Sequence, residues 1–184
     1  MFARTERLLL RPGWREDAAA LCRAIADEGI VRNLASAPWP YDLSHAEAFL
    51  ARDHRPGEGP RFIFLRGDGP PALVGCIGVD PGPDGVPELG YWIARPYWGQ
   101  GIATEAGRAV IANARDSLRL PRLVAGHFTD NPASGRVLEK LGFHATGVTR
   151  GRFSAGRDGI APVREYALDL CVGEDCDDRE MMAA

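Results

Sequence analysis

"ARPYWGQGIATEAG", residues 94–107, sets Gly99 and Gly101 directly before a run of helix-favouring residues. Glycine bares the backbone and adopts positive φ without steric penalty. The first N–H groups of a helix have no intrahelical acceptor, and the helix dipole favours negative charge beside them. A glycine-rich entry to a helix is therefore suited to cradle a phosphate. A plain glycine turn has the same look, so the flanking sequence has to decide.

Upstream, Glu88–Ile93 alternates as a strand, with Leu89, Tyr91 and Ile93 on one face and Glu88, Gly90 and Trp92 on the other. Downstream, Ile102, Ala106, Ala109, Val110 and Asn113 trace one face of a helix reaching about Arg115. The glycine loop thus joins a strand to a helix. It is not a Walker loop, because no G-x-x-x-x-G-K-[ST] string is present. It is not a Rossmann fingerprint either: Thr104 stands at the third glycine position, and the loop comes in mid-chain after a series of hairpins.

Further along, Arg122–Gly126 reads as a short strand. Asn131-Pro132 opens a helix, with Asn suited to the cap and Pro to the first helical position. Val137, Leu138 and Leu141 face the core, and Gly142 suits a left-handed stop. Last strands are expected over 143–149 and 163–168. Before the glycine loop, Leu8-Leu9-Leu10 is a strand stopped by Pro12, and residues 16–27 carry apolar side chains at helical spacing. Ile30–Leu34 is a short apolar segment. Ser44 and Glu47 form an S-x-x-E capping box for a helix ending near Pro56, and 61–66 and 72–79 are strands separated by "GDGPP". Trp14, Trp92 and Tyr91 read as core aromatics. The order β-α-α-β-β-β-α-β-α-β-β predicts an α/β fold: one mixed sheet with helices on both faces. One domain spans 1–170, followed by an acidic, aperiodic tail over 171–184.

The 22 basic and 25 acidic side chains of the 184-residue chain leave a net charge of −3, which gives no support to a nucleic-acid partner. No apolar run is long enough for a signal-peptide core or a membrane span. Cys22 and Cys76 lie in apolar periodic segments and read as buried thiols. Together with Cys171 and Cys176 they make no CxxC pair and no metal-ligand spacing, so no metal is expected and a reducing cytoplasm fits.

Two stretches, "ELGYWIARPYWGQGIATEA" (88–106) and "NPASGRVLEKLGF" (131–143), resemble the GNAT superfamily of N-acetyltransferases, in particular its RimJ/RimL-like branch of ribosomal-protein N-acetyltransferases. "TERLLLR" (5–11) and "PWPY" (38–41) are similar to that branch too, so the resemblance covers about residues 5–170. The superfamily pattern [RQ]-x-x-G-x-[GA] falls on Trp98–Ala103. Gly101 and Ala103 match, while Trp98 replaces the usual Arg or Gln as it often does in this branch.

The resemblance implies a three-layer GNAT-like fold with a mostly antiparallel, twisted central sheet, and an enzyme that binds acetyl-CoA and acetylates an amine directly. Trp98, Gly99, Gln100, Gly101, Ile102, Ala103 and Thr104 would hold the pyrophosphate through backbone N–H groups, with the Thr104 hydroxyl as an addition or a mere cap. Ile93, Ala94 and Arg95 would pair with the pantetheine arm, an N–H near Ile93 would stabilise the oxyanion, and Asn131 would bind the arm or cap its helix. Glu88 would accept the amine proton, unless it is an ordinary carboxylate paired with an Arg. No Tyr follows the last helix, where Phe143 and His144 stand, so the branch points to Ser134 as the donor to the leaving thiolate. His127 and His144 read as structural or exposed. Trp39 and Tyr41 would line the acceptor pocket. The acceptor is a protein N-terminal α-amine or a small-molecule amine; a homodimer stays open. A non-catalytic acyl-CoA sensor is the alternative, and it would lack amine-dependent thioester cleavage.

Overall fold

The computed structural model describes residues 2–52 and 59–170. Its strands are β1 (Ala3–Arg4), β2 (Leu8–Arg11), β3 (Arg61–Leu65), β4 (Ala72–Pro81), β5 (Pro87–Ile93), β6 (Arg122–Phe128), β7 (His144–Ser154) and β8 (Gly159–Asp169). Its α-helices are α1 (Ala18–Ile25), α2 (Glu28–Val31), α3 (Leu43–Leu50), α4 (Ile102–Asp116) and α5 (Pro132–Lys140). One sheet runs β1-β2-β3-β4-β5-β6-β8-β7. Neighbours are antiparallel except β5 and β6, which α4 joins in a parallel crossover. The sheet is therefore mixed.

Alternation along the strands feeds two apolar layers. Leu8, Leu10, Ile63, Leu89, Ile93 and Leu123 pack against Ile102, Ala106, Val110 and Leu138 of α4 and α5. Phe62, Phe64 and Cys76 face the other way, onto Leu21, Ile25, Val31 and Ala46 of α1–α3, with Trp92 alongside. The two faces assigned to Glu88–Ile93 from alternation are the ones observed.

Local chemistry corrects several expectations. Asp42, not Ser44, caps α3: its carboxylate accepts the His45 N–H at 3.2 Å, and the Ser44 hydroxyl donates to the same oxygen at 2.7 Å. The capping box is thus Asp42/His45, and α3 ends at Leu50, short of Pro56. Part of the apolar segment 30–34 belongs to α2, whose start Asp27 caps by accepting the Gly29 N–H. Trp14 is half exposed rather than in the core. It covers Arg11, whose guanidinium lies 3.8 Å from the Trp14 ring and 4.2 Å from Phe64 while binding both oxygens of Asp17. The last two strands extend beyond their apolar cores into a long hairpin ending at Ser154 and Gly159, because backbone pairing continues where side chains are exposed. Cys76 is buried, Cys22 is half-buried, and both are free thiols; Cys171, Cys176 and the acidic tail lie outside the described residues.

Candidate active site

The β5–β6 ladder has a single bridging pair, Glu88 with Val124. Beyond it the two strands part, and their carboxyl ends open a wedge, the usual ligand position in a parallel pair. Ala94 N–H donates to Val74 O at 2.8 Å. Backbone polar groups alternate sides along an antiparallel strand, so Tyr91 and Ile93 turn theirs away from β4 and into the wedge. The Ile93 carbonyl there accepts the Trp98 indole Nε1–H at 2.6 Å.

The chain from Ile93 runs through residues 94–101 to α4, along the open end of the wedge. Gly99 and Gly101 have φ of +74° and +76°. That left-handed conformation would strain any residue with a Cβ. Gly101 is the N-cap of α4, and no side chain closes the helix start. Thr104 is inside the first turn and does not cap it. The N–H groups of the first turn are left for a ligand, on a helix long enough to carry a dipole.

This turn is braced from the connection between β1 and β2. Glu105 accepts from the Thr5 hydroxyl at 2.5 Å, the Arg7 N–H at 3.0 Å and Arg7 Nε at 2.7 Å, while Arg7 also binds the Gln100 carbonyl at 3.1 Å. Burial pushes the Glu105 carboxyl up, but the Thr5 and Arg7 hydrogen bonds and the Arg7 charge outweigh it and hold it below the usual range. Thr5 and Arg7 belong to "TERLLLR", yet nothing local shows that they reach a residue nearly a hundred positions away.

Across the wedge stands the first turn of α5. Asn131 Oδ1 accepts the Ser134 N–H at 3.4 Å, so Asn131 caps the helix. Its amide nitrogen makes no hydrogen bond among the described residues and can still serve a ligand. The Ser134 hydroxyl lies 2.7 Å from the Tyr91 phenol. Tyr91 packs against the α4–α5 core as an aromatic should, and its polar end reaches the site, which its periodicity could not reveal. His127 is buried, its Nδ1 2.8 Å from the Phe128 carbonyl, and His144 is exposed; neither enters the wedge.

The α1–α2 side holds an open cleft of about 510 Å³, lined by Asp27, Glu28, Arg32, Trp39 and Arg95 among others. Arg95 donates from Nε and Nη2 to the two carboxylate oxygens of Asp27, at 2.5 and 2.8 Å, and lies 4.8 Å from the Trp98 ring. The Arg95 hydrogen bond holds the Asp27 carboxyl below the ordinary carboxylate range. Asp130 binds Arg157 at 2.8 Å and Arg32 at 3.0 Å, tying the β7–β8 turn to α2. Tyr41 does not line this cleft, contrary to expectation. It is buried against α1 and α3, and burial pushes its phenol up to about 12.

Glu88 sits at the closed end of the wedge. Arg152 of β7 donates to its Oε1 at 2.6 Å. At about 3.3 Å per residue, Glu88 and Ile93 are about 16 Å apart along the strand. The structure therefore brings Ser134 of α5 against Tyr91 of β5, two residues before Ile93, and leaves Glu88 further down the strand at the bridge to Val124. Among the described residues, no group of three His, Cys, Asp or Glu is placed to hold a metal ion, and no helix is long and apolar enough to cross a membrane.

Residues 7–144 match the family model described as "Acetyltransferase (GNAT) domain". The chain belongs to the GNAT acetyltransferases. It is 32% identical over 153 residues to the uncharacterized N-acetyltransferase YoaA of Bacillus subtilis (strain 168), covering 79% of this chain and 84% of that one. It is 32% identical over 93 residues to the ribosomal-protein-serine acetyltransferase of Escherichia coli (strain K12), covering 49% and 50% of the two chains. Among solved structures it shares its fold with a RimL ribosomal-protein alpha-N-acetyltransferase in complex with coenzyme A: TM-score 0.74, 17% identity, 92% of this chain and 98% of that one. This GNAT chain is thus an N-acetyltransferase, and acetyl-CoA is the donor of such a domain. The wedge fits that substrate: an uncapped helix start with a glycine at positive φ suits a pyrophosphate, and the turned-out N–H groups of Tyr91 and Ile93 suit an amide-bearing arm.

Proposed function

We propose that this GNAT enzyme transfers the acetyl group of acetyl-CoA to a primary amine bound in the cleft between α2, Trp39 and Arg95. The observation that carries the reading is the wedge mouth, where backbone donors for the thioester and the charged cleft for the acceptor meet at Arg95. In that reading Gly99–Thr104 hold the pyrophosphate, and Ile93, Arg95 and Asn131 hold the arm; the Ala94 and Trp98 N–H groups, expected to take part, are already given to the Val74 and Arg95 carbonyls. The Ile93 N–H polarises the thioester carbonyl and stabilises its oxyanion, where a preformed donor is worth most. The amine attacks in its neutral form, although an amine of pKa about 8–10 is mostly charged at neutral pH. Glu88 takes the released proton through water, with Arg152 holding its carboxylate in place. Ser134 donates a hydrogen bond to the departing sulfur.

The acceptor is an amine of a protein N-terminus or of a small molecule. The name of the Escherichia coli relative supports trying peptide α-amines first. The test is release of free CoA from acetyl-CoA, measured with no acceptor, with peptides bearing free or blocked N-termini, and with small amines. Release that depends on a free amine is expected. Binding of acetyl-CoA without release under any acceptor would point to the sensing role instead. Glu88→Gln should lower turnover at neutral pH about tenfold or more and leave acetyl-CoA affinity intact; an unchanged rate removes Glu88 from the mechanism.

A further inference from the structure

Ser134 can serve the leaving sulfur only if its O–H points into the wedge. What sets that direction is Tyr91. Its phenol is within hydrogen-bond reach of two Ser134 oxygens, the backbone carbonyl at 3.0 Å and the hydroxyl Oγ at 2.7 Å. A phenol has one proton to share between them. If it donates to the carbonyl, the short Oη–Oγ contact requires the serine O–H to point back at Tyr91. Ser134 then turns only lone pairs to the wedge and repels an anion. If the phenol donates to Oγ, the serine O–H is released and can point outward as a donor. The two arrangements need only a rotation of each O–H bond. Negative charge growing on sulfur favours the second.

We propose that Tyr91 is a positioning residue for acetyl transfer: its phenol donates to Ser134 Oγ as the thioester breaks and so aims the Ser134 O–H at the CoA sulfur. The inference rests on the reading of Ser134 given above. No proton travels along this chain. The amine nitrogen bonds to the acetyl carbon, the C–S bond breaks, and its electron pair stays on sulfur, which leaves as a thiolate. The amine proton goes to the base. Burial pushes the Tyr91 phenol up to about 12, so it keeps its proton beside the thiolate, whose conjugate thiol is the stronger acid. Without the phenol, the serine O–H is expected to fall back on a carbonyl of the preceding turn, the ordinary habit of serine in a helix.

The bound CoA thiol itself reports on this arrangement. Thiolate absorbance in the ultraviolet, followed against pH with CoA as the ligand, gives the thiol pKa on wild type, Tyr91→Phe, Ser134→Ala and the double variant. Tyr91→Phe keeps the ring and removes only the hydroxyl. Each single variant should raise the bound thiol pKa by about one unit, and the double variant should raise it no further. Each should lower kcat about tenfold at unchanged KM for acetyl-CoA. A merely structural tyrosine would leave the thiol pKa alone. If Ser134→Ala shifts it and Tyr91→Phe does not, the role of Tyr91 is overturned while that of Ser134 stands. If Ser134→Ala shifts nothing, the Ser134 reading itself fails, and the role of Tyr91 with it.

Discussion

On the α4 side of the wedge, the groups turned toward a ligand are backbone N–H groups of Ile93 and of the turn into α4, backed by the buried Ile102, Ala103 and Ala106. On the α1–α2 side they are side-chain charges, Asp27 with Arg95 and Arg32 nearby, beside the half-exposed Trp39. A backbone donor keeps its direction whatever residue carries it, so the first wall suits one ligand of fixed geometry. A side-chain wall can be rebuilt one substitution at a time without disturbing the sheet. On the proposed reading, the donor half is thus the part set by the main chain and the acceptor half the part open to change.

The comparison breaks most readily at Gly101. Gly101→Asp forces a left-handed residue with a Cβ, at about 1–2 kcal/mol, and sets a carboxylate against the pyrophosphate. Acetyl-CoA affinity measured by calorimetry should fall about a hundredfold, while the acceptor KM changes little. Affinity within threefold of wild type would show that the cradle is elsewhere. Trp39→Ala should do the reverse: the acceptor KM rises about tenfold by loss of an aromatic contact, and acetyl-CoA affinity holds. Steady-state kinetics with both substrates varied would refute this if neither constant moved.

Smaller effects separate the brace from the walls. Glu105→Ala removes the common partner of Thr5 and Arg7 and should cost about 1–2 kcal/mol, lowering Tm by about 2–8 °C. Because the brace also holds the Gln100 carbonyl through Arg7, acetyl-CoA affinity should drop severalfold; an unchanged Tm would mean that Arg7 holds the turn unaided. The smallest effect concerns acid. Glu105, Asp17 and Asp27 are all held below their ordinary range in the fold. Their contribution to stability is present above the unfolded carboxylate range, near pH 4, and is lost as pH falls through the depressed folded values. Tm should therefore be level from neutral pH to about 5 and decline below about 4. A Tm that rises on acidification would contradict these pairings.

The amino-acid sequence by itself determined the succession of strands along the chain from β2 onward, the two faces of β5, the glycine entry to α4 and the Asn131-Pro132 start of α5. Each depends on periodicity or on the conformational range of one residue, and both are local. The motif stretches also singled out Ile93 to Thr104, the run that leads from β5 into α4. Only the tertiary structure decided the rest. Which side chain caps α3 was a contest between Asp42 and Ser44 two positions apart, settled by where the backbone bends. Tyr41 and Trp39 are near neighbours, yet one is buried and the other lines the cleft. The partners of Glu88, Glu105 and Ser134 arrive from β7, from the turn between β1 and β2, and from β5. Such contacts arise when the sheet brings distant segments side by side, and spacing along one segment carries no record of them.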